Sequence, residues 1–130
     1  MDGTEFRLSD HRGKVVFINL WATYCGPCVK ELPYFDALRA EHPEDLTVLA
    51  VHHSMTVTDI PGYLSGHDWN HITFAVDTPE KLVWDITGAG DAMPQTIVLD
   101  REGRVIYNQV GSVKPELLEQ LLKEASGQNE

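Results

Sequence analysis

A chain of 130 residues with 42% hydrophobic and 23% charged side chains has the size and composition of one globular domain built on one core. Its 10 Lys plus Arg against 20 Asp plus Glu give a net charge of −10 with no basic cluster, which argues against nucleic acid and anionic membrane surfaces as partners. The longest apolar run is far too short to span a bilayer, and the N-terminal MDGTEFRLSD lacks a signal-peptide pattern, although the chain could be a domain of a longer exported or tethered precursor.

Lys14 to Trp21 is apolar on both faces except at Asn19, the pattern of a central strand buried on both sides. Cys28, Leu32, Phe35 and Leu38 then recur at helical intervals, so a helix is expected from just after Cys25 to about Ala40. Thr47 to Val51 repeats the buried-strand pattern. Thr58 can cap a short helix to about Gly66, with Pro61 in its first turn. Thr73 to Val76 reads as a strand, and Thr78-Pro79 opens a helix to about Ile86. Gln95 to Leu99 and Arg104 to Tyr107 form an antiparallel hairpin around Asp100-Arg101-Glu102-Gly103. Leu117, Leu118, Leu121, Leu122 and Ala125 give the buried face of a last helix capped near Ser112, and residues 126–130 read as a frayed tail. The order βαβαβαββα predicts an α/β domain over residues 1–130, a mixed central sheet covered on both faces.

The two cysteines, Cys25 and Cys28, stand in the stretch WATYCGPC at the junction of the first strand and helix. Three residues apart on a helix, their sulfurs are close enough to bond. So short a loop removes little entropy from the unfolded chain, so a purely structural staple is an inefficient use of the pair. Cys25, at the helix start, meets unpaired N–H groups and the positive end of the macrodipole, which favour the thiolate and mark it as a nucleophile. Cys28 is in phase with Leu32, Phe35 and Leu38 and is expected to be buried, which suits a resolving thiol. Zinc would need two more ligands in a compact arrangement, and no second CxxC or CxxC…HxxxH exists. Copper handling by Cys25 and Cys28 with nearby His and Met residues is the alternative function.

Residues outside the pair carry a resemblance to the thioredoxin superfamily. Trp21 stands four before Cys25, Gly26-Pro27 is the thioredoxin dipeptide, Pro33 falls eight after Cys25 where relatives kink the helix, and Met93-Pro94 precedes a strand and hairpin as in the cis-proline loop. The leading EFRLSDHRGKVVFINLWATYCGPCVKELP and the extra strand-helix stretch at Thr73 to Ile86 are similar to the TlpA/ResA type of extracytoplasmic thiol-disulfide oxidoreductase. The resemblance implies a three-layer α/β/α thioredoxin fold with a TlpA-like strand-helix insertion. It implies catalytic Cys25 and Cys28, with active-site support from Trp21, Tyr24, Gly26, Pro27, Met93 and a cis Pro94 that packs on the disulfide and lets Met93 pair with an incoming peptide. It further implies a monomer outside the cytoplasm that reduces disulfides in apocytochrome c or other proteins. No cofactor beyond the Cys25–Cys28 pair is implied, and a thiol-disulfide electron donor, for which a membrane-bound protein is a candidate, would reset it. Gly-Pro between the cysteines resembles the reducing members, which implies reduction rather than oxidation. A peroxiredoxin is disfavoured because Ala22 and Ile18 stand where its Thr and Pro would be.

Two departures from the family pattern stand out. Asn19, six before Cys25, replaces a buried Asp, so a proton relay to Cys28 needs water or another group. Val51-His52-His53-Ser54-Met55 lies where extracytoplasmic relatives often carry an active-site Glu. The simplest reading of His52 and His53 is as hydrogen-bonded residues at a strand end, with a proton-handling role the less favoured one. Glu31, one turn past Cys28, reads as a solvated helix position. His67 and His71 could chelate a metal only if a helix ran through both.

Overall fold

The two doubly apolar runs form the middle of the sheet. The computed structural model describes residues 13–53, 60–76 and 92–127. Strands β1 (Val15–Trp21) and β2 (Leu46–His52) are buried along their whole length and pair in parallel, joined by helix α1 (Gly26–Glu41). Beyond the short helix α2 (Ile60–Leu64), β3 (Thr73–Val76) adds in parallel beside β2. On the other side of β1, β4 (Gln95–Leu99) and β5 (Val105–Val110) add antiparallel, giving the order β3-β2-β1-β4-β5. Helix α3 (Pro115–Ser126) ends the described chain.

Strand alternation divides the core in two. Val15, Phe17 and Trp21 of β1 and Leu46, Val48 and Ala50 of β2 share a cluster with Cys28, Leu32, Phe35 and Leu38 of α1 and Leu118, Leu121, Leu122 and Ala125 of α3. Val16, Ile18 and Leu20 point the other way, with Leu49, Val51, Ile97 and Leu99. Both helices therefore lie on one face, and Phe17 meets Phe35 edge-on at 6.3 Å. The expected Thr78–Ile86 helix, its cap, the Thr58 cap and the Gly88–Asp91 loop lie outside the described residues.

Some boundaries move for identifiable reasons. α3 is capped at Lys114 rather than Ser112: Pro115 holds its preceding residue extended, and Lys114 has φ −104° and ψ 158°. The helix runs through Ser126 with Gly127 at φ 78° as a left-handed cap, and residues 128–130 of the expected tail lie outside the described residues. β5 runs past Tyr107 to Val110, because an exposed edge strand needs no apolar pattern to pair with β4. α2 stops at Leu64, where Ser65 donates to the Gly62 carbonyl at 2.7 Å. At the hairpin, Gly103 takes φ 83° and the Asp100 carboxylate accepts the Glu102 and Arg104 N–H groups.

Candidate active site

Cys25 leaves β1 through a tight turn. Its N–H donates to the Ala22 carbonyl at 3.0 Å, so Thr23 and Tyr24 occupy the middle of the turn, and Cys25 is the N-cap of α1. Its Sγ accepts the Cys28 N–H at 3.3 Å, placing sulfur where a helix most favours negative charge. Pro27 sits in the first turn, where its missing N–H leaves nothing unsatisfied, and no acidic residue there opposes a thiolate. The two cysteines are joined as a disulfide with Cα atoms 5.3 Å apart. Cys25 is 9% exposed and Cys28 0%, so the expected outer and inner thiols are found in that order, with a narrower difference than the sequence suggested.

Around the pair, Trp21 is fully buried beneath the turn and Tyr24 is 62% exposed beside Cys25. Gly26 has open space where a Cβ would stand, so packing does not require its smallness. The Met93–Pro94 peptide is cis, as the resemblance implied. Pro94 is buried and accepts the Gly111 N–H at 2.8 Å, while half-buried Met93 packs against both core clusters, one of which holds Cys25 and Cys28. α1 continues unbroken through exposed Pro33.

Glu31 overturns its sequence reading. It is 2% exposed, on the buried face of α1 one turn beyond Cys28. Asn19 Nδ2 donates to its Oε1 at 2.8 Å and the Val113 N–H to its Oε2 at 2.9 Å. Burial pushes its pKa up to about 7, against the lowering effect of these two hydrogen bonds. A carboxylate from the facing helix thus lies against Asn19, the position where the family pattern has a buried Asp. A signal for this was present: Glu31 is three after Cys28 and four before Phe35, in phase with the buried stripe.

The two histidines at the end of β2 are also built in. His52 is 0% exposed; Thr23 N–H donates to its Nε2 at 2.9 Å and its Nδ1–H to the His53 carbonyl at 2.9 Å. The ring is therefore neutral and its tautomer fixed, and desolvation lowers its pKa below the ordinary histidine value. The His53 N–H donates to the Trp21 carbonyl at 3.0 Å. Ser54 and Met55 lie outside the described residues. His67 and His71 do not converge: the first donates to Tyr63 O and stacks on Trp69 at 4.1 Å, and the second is held by the Asp36 carboxylate. Among the described residues no three His, Cys, Asp or Glu side chains are grouped to hold a metal.

A mixed five-stranded sheet with a CxxC pair capping the helix after its central strand, opposite a cis-proline loop, defines a thioredoxin-fold protein of the dithiol–disulfide class. The Redoxin family model matches residues 1–124, and the chain belongs to that family. It is similar to the thiol-disulfide oxidoreductase ResA of Bacillus thuringiensis, 29% identical over 124 residues, 95% of this chain and 70% of the relative. The thioredoxin-like protein YneN of Bacillus subtilis is 30% identical over 124 residues, 94% of this chain and 71% of that protein. Among solved structures, the exposed lipoprotein thioredoxin Etrx1 of Streptococcus pneumoniae superposes with a TM-score of 0.81 at 30% identity, covering 95% of this chain and 93% of the other.

Proposed function

We propose that this chain is a thiol-disulfide oxidoreductase that reduces protein disulfides outside the cytoplasm, with Cys25 as nucleophile and Cys28 as resolving thiol. The observation that carries the reading is Cys25 Sγ at the α1 N-cap, accepting the Cys28 N–H and bonded to a buried partner sulfur. In the reduced protein the Cys25 thiolate attacks one sulfur of a substrate disulfide. The new S–S bond forms as the substrate's other sulfur leaves and takes up a proton. Cys28, once deprotonated, attacks Cys25 Sγ, the mixed disulfide breaks, and the substrate's second thiol departs. Two electrons have passed to the substrate, and an external dithiol donor must return them.

Glu31 suits the deprotonation step, since a carboxylate titrating near neutrality on the helix face of Cys28 matches the operating pH of a general base. Exposed Tyr24 offers an aromatic surface for a substrate chain, and the Met93 backbone before Pro94 offers hydrogen bonds to it. The cycle needs no cofactor beyond the disulfide. The names of the ResA relatives support the chemistry, and the exposed lipoprotein among the structural neighbours supports the location. Among the described residues no helix is long and apolar enough to cross a membrane.

The test is trapping. Cys28→Ser should accumulate a mixed disulfide between Cys25 and a model protein disulfide, detected by mass, whereas Cys25→Ser should form none. Alkylation of Cys25 in the Cys28→Ser protein no faster than that of a free cysteine at pH 7 would overturn the assignment.

A further inference from the structure

We propose that His52 is a positioning residue for the nucleophile: its neutral ring accepts the Thr23 N–H and thereby fixes the turn that delivers Cys25 Sγ to the N-terminus of α1. The inference rests on the oxidoreductase reading above and adds a residue to it.

The geometry runs through one chain of contacts. β1 and β2 end in register, Trp21 opposite His52, so the His52 ring stands beside the exit of the strand that leads to Cys25. Trp21 packs against that ring edge-on at 5.0 Å, and the Tyr24 ring lies at 6.3 Å on the exposed side. The His53 carbonyl takes the Nδ1 proton, leaving Nε2 as an acceptor, and Thr23 N–H, at the second position of the Ala22–Cys25 turn, is the group it receives. One imidazole thus ties the end of a rigid central strand to the turn before the nucleophile. The Cys25 N–H to Ala22 carbonyl bond closes the turn on itself, and the His52 bond to Thr23 anchors it to β2.

The device depends on protonation state. A second proton would turn Nε2 into a donor facing the Thr23 N–H, and the bond would be lost. Burial opposes that proton and outweighs the His53 carbonyl, which favours it. Beside the ring the structure places Trp21, Thr23, Tyr24 and His53, and among the described residues no carboxylate shifts its titration. At neutral pH the turn is therefore held.

Two substitutions separate the two ring nitrogens. His52→Gln carries an amide oxygen out to the position of Nε2, while His52→Asn reaches only to that of Nδ1; His52→Phe keeps the ring and its packing on Trp21 without an acceptor. The experiment measures iodoacetamide alkylation of Cys25 from pH 4 to 9 in the reduced full chain, with the urea midpoint of the oxidised protein recorded alongside. His52→Gln should keep the wild-type midpoint and rate. His52→Asn and His52→Phe should move the pH midpoint of alkylation upward by about one unit and slow alkylation roughly tenfold at the acid end of the range, where the thiolate is the minor form in every variant. KM for a model disulfide should stay near the wild-type value while kcat falls. Folded His52→Phe protein with the wild-type midpoint overturns the proposal. Should His52→Phe not fold, equal midpoints for the Gln and Asn variants overturn it instead. A wild-type protein that reduces no disulfide and whose Cys25 alkylates like a free thiol overturns the oxidoreductase reading itself, a separate result.

Discussion

Replacing Glu31 by Gln removes a buried titration without removing a side chain. In the wild type the carboxyl has its pKa raised from the ordinary 4.5 to about 7, with desolvation as the largest cause. A group whose proton is held more tightly in the folded state stabilises the fold fully below pH 4.5 and loses that contribution as pH rises through about 7. At about 1.4 kcal/mol per unit, the gap between those values is worth about 3 kcal/mol. Gln keeps both contacts if the Asn19 amide turns over: its Nε2 donates to Asn19 Oδ1, which otherwise has no partner, and its Oε1 accepts the Val113 N–H. Urea unfolding of oxidised wild type and Glu31→Gln at intervals from pH 4.5 to 8.5 measures the difference. The variant should match the wild type near pH 4.5 and exceed it by about 3 kcal/mol at pH 8.5. His52 titrates with the opposite sign, its lowered pKa giving stability present above 6.5 and lost as pH falls, but it is common to both proteins and cancels. Parallel profiles over the whole range would refute a buried, proton-retaining Glu31. In single-turnover reduction, Glu31→Gln should also slow release of the mixed disulfide at pH 7 while leaving attack by Cys25 unchanged.

Other substitutions test neighbouring parts of the same structure. Asn19→Leu strips Glu31 Oε1 of its donor and should cost about 1–3 kcal/mol at pH 8, and less at pH 4.5 where the acid is protonated, read by the same urea series. Phe35→Ala opens a cavity against Phe17 in the main core and should lower stability by about 3–5 kcal/mol with the disulfide still formed, checked by calorimetry and thiol counting. Gly26→Ala meets no atom within 4 Å and should raise stability by about 0.5–1 kcal/mol, while slowing reduction of a large protein disulfide more than that of a small one. Equal slowing of both substrates would remove Gly26 from substrate access.

The sequence by itself determined the middle of the sheet, the helix that follows it and the redox pair. These features are local: a doubly apolar run can bury both faces only inside a sheet, a three-and-four spacing faces one side of a helix, and Cys25 three before Cys28 meets it within a single turn. Family likeness added the cis bond at Pro94, which no spacing rule supplies. Tertiary structure alone decided how charge and protons are held. Glu31 is satisfied by Asn19, twelve residues away, and by Val113, eighty-two away, and His52 grips Thr23 across twenty-nine. A carboxylate on a helix reads as solvated until a polar strand residue is set opposite it, and an imidazole at a strand end has no readable acceptor role until a turn brings an N–H to it. Burial raises the proton affinity of Glu31 and lowers that of His52, because a low-dielectric surrounding disfavours the charged form of each.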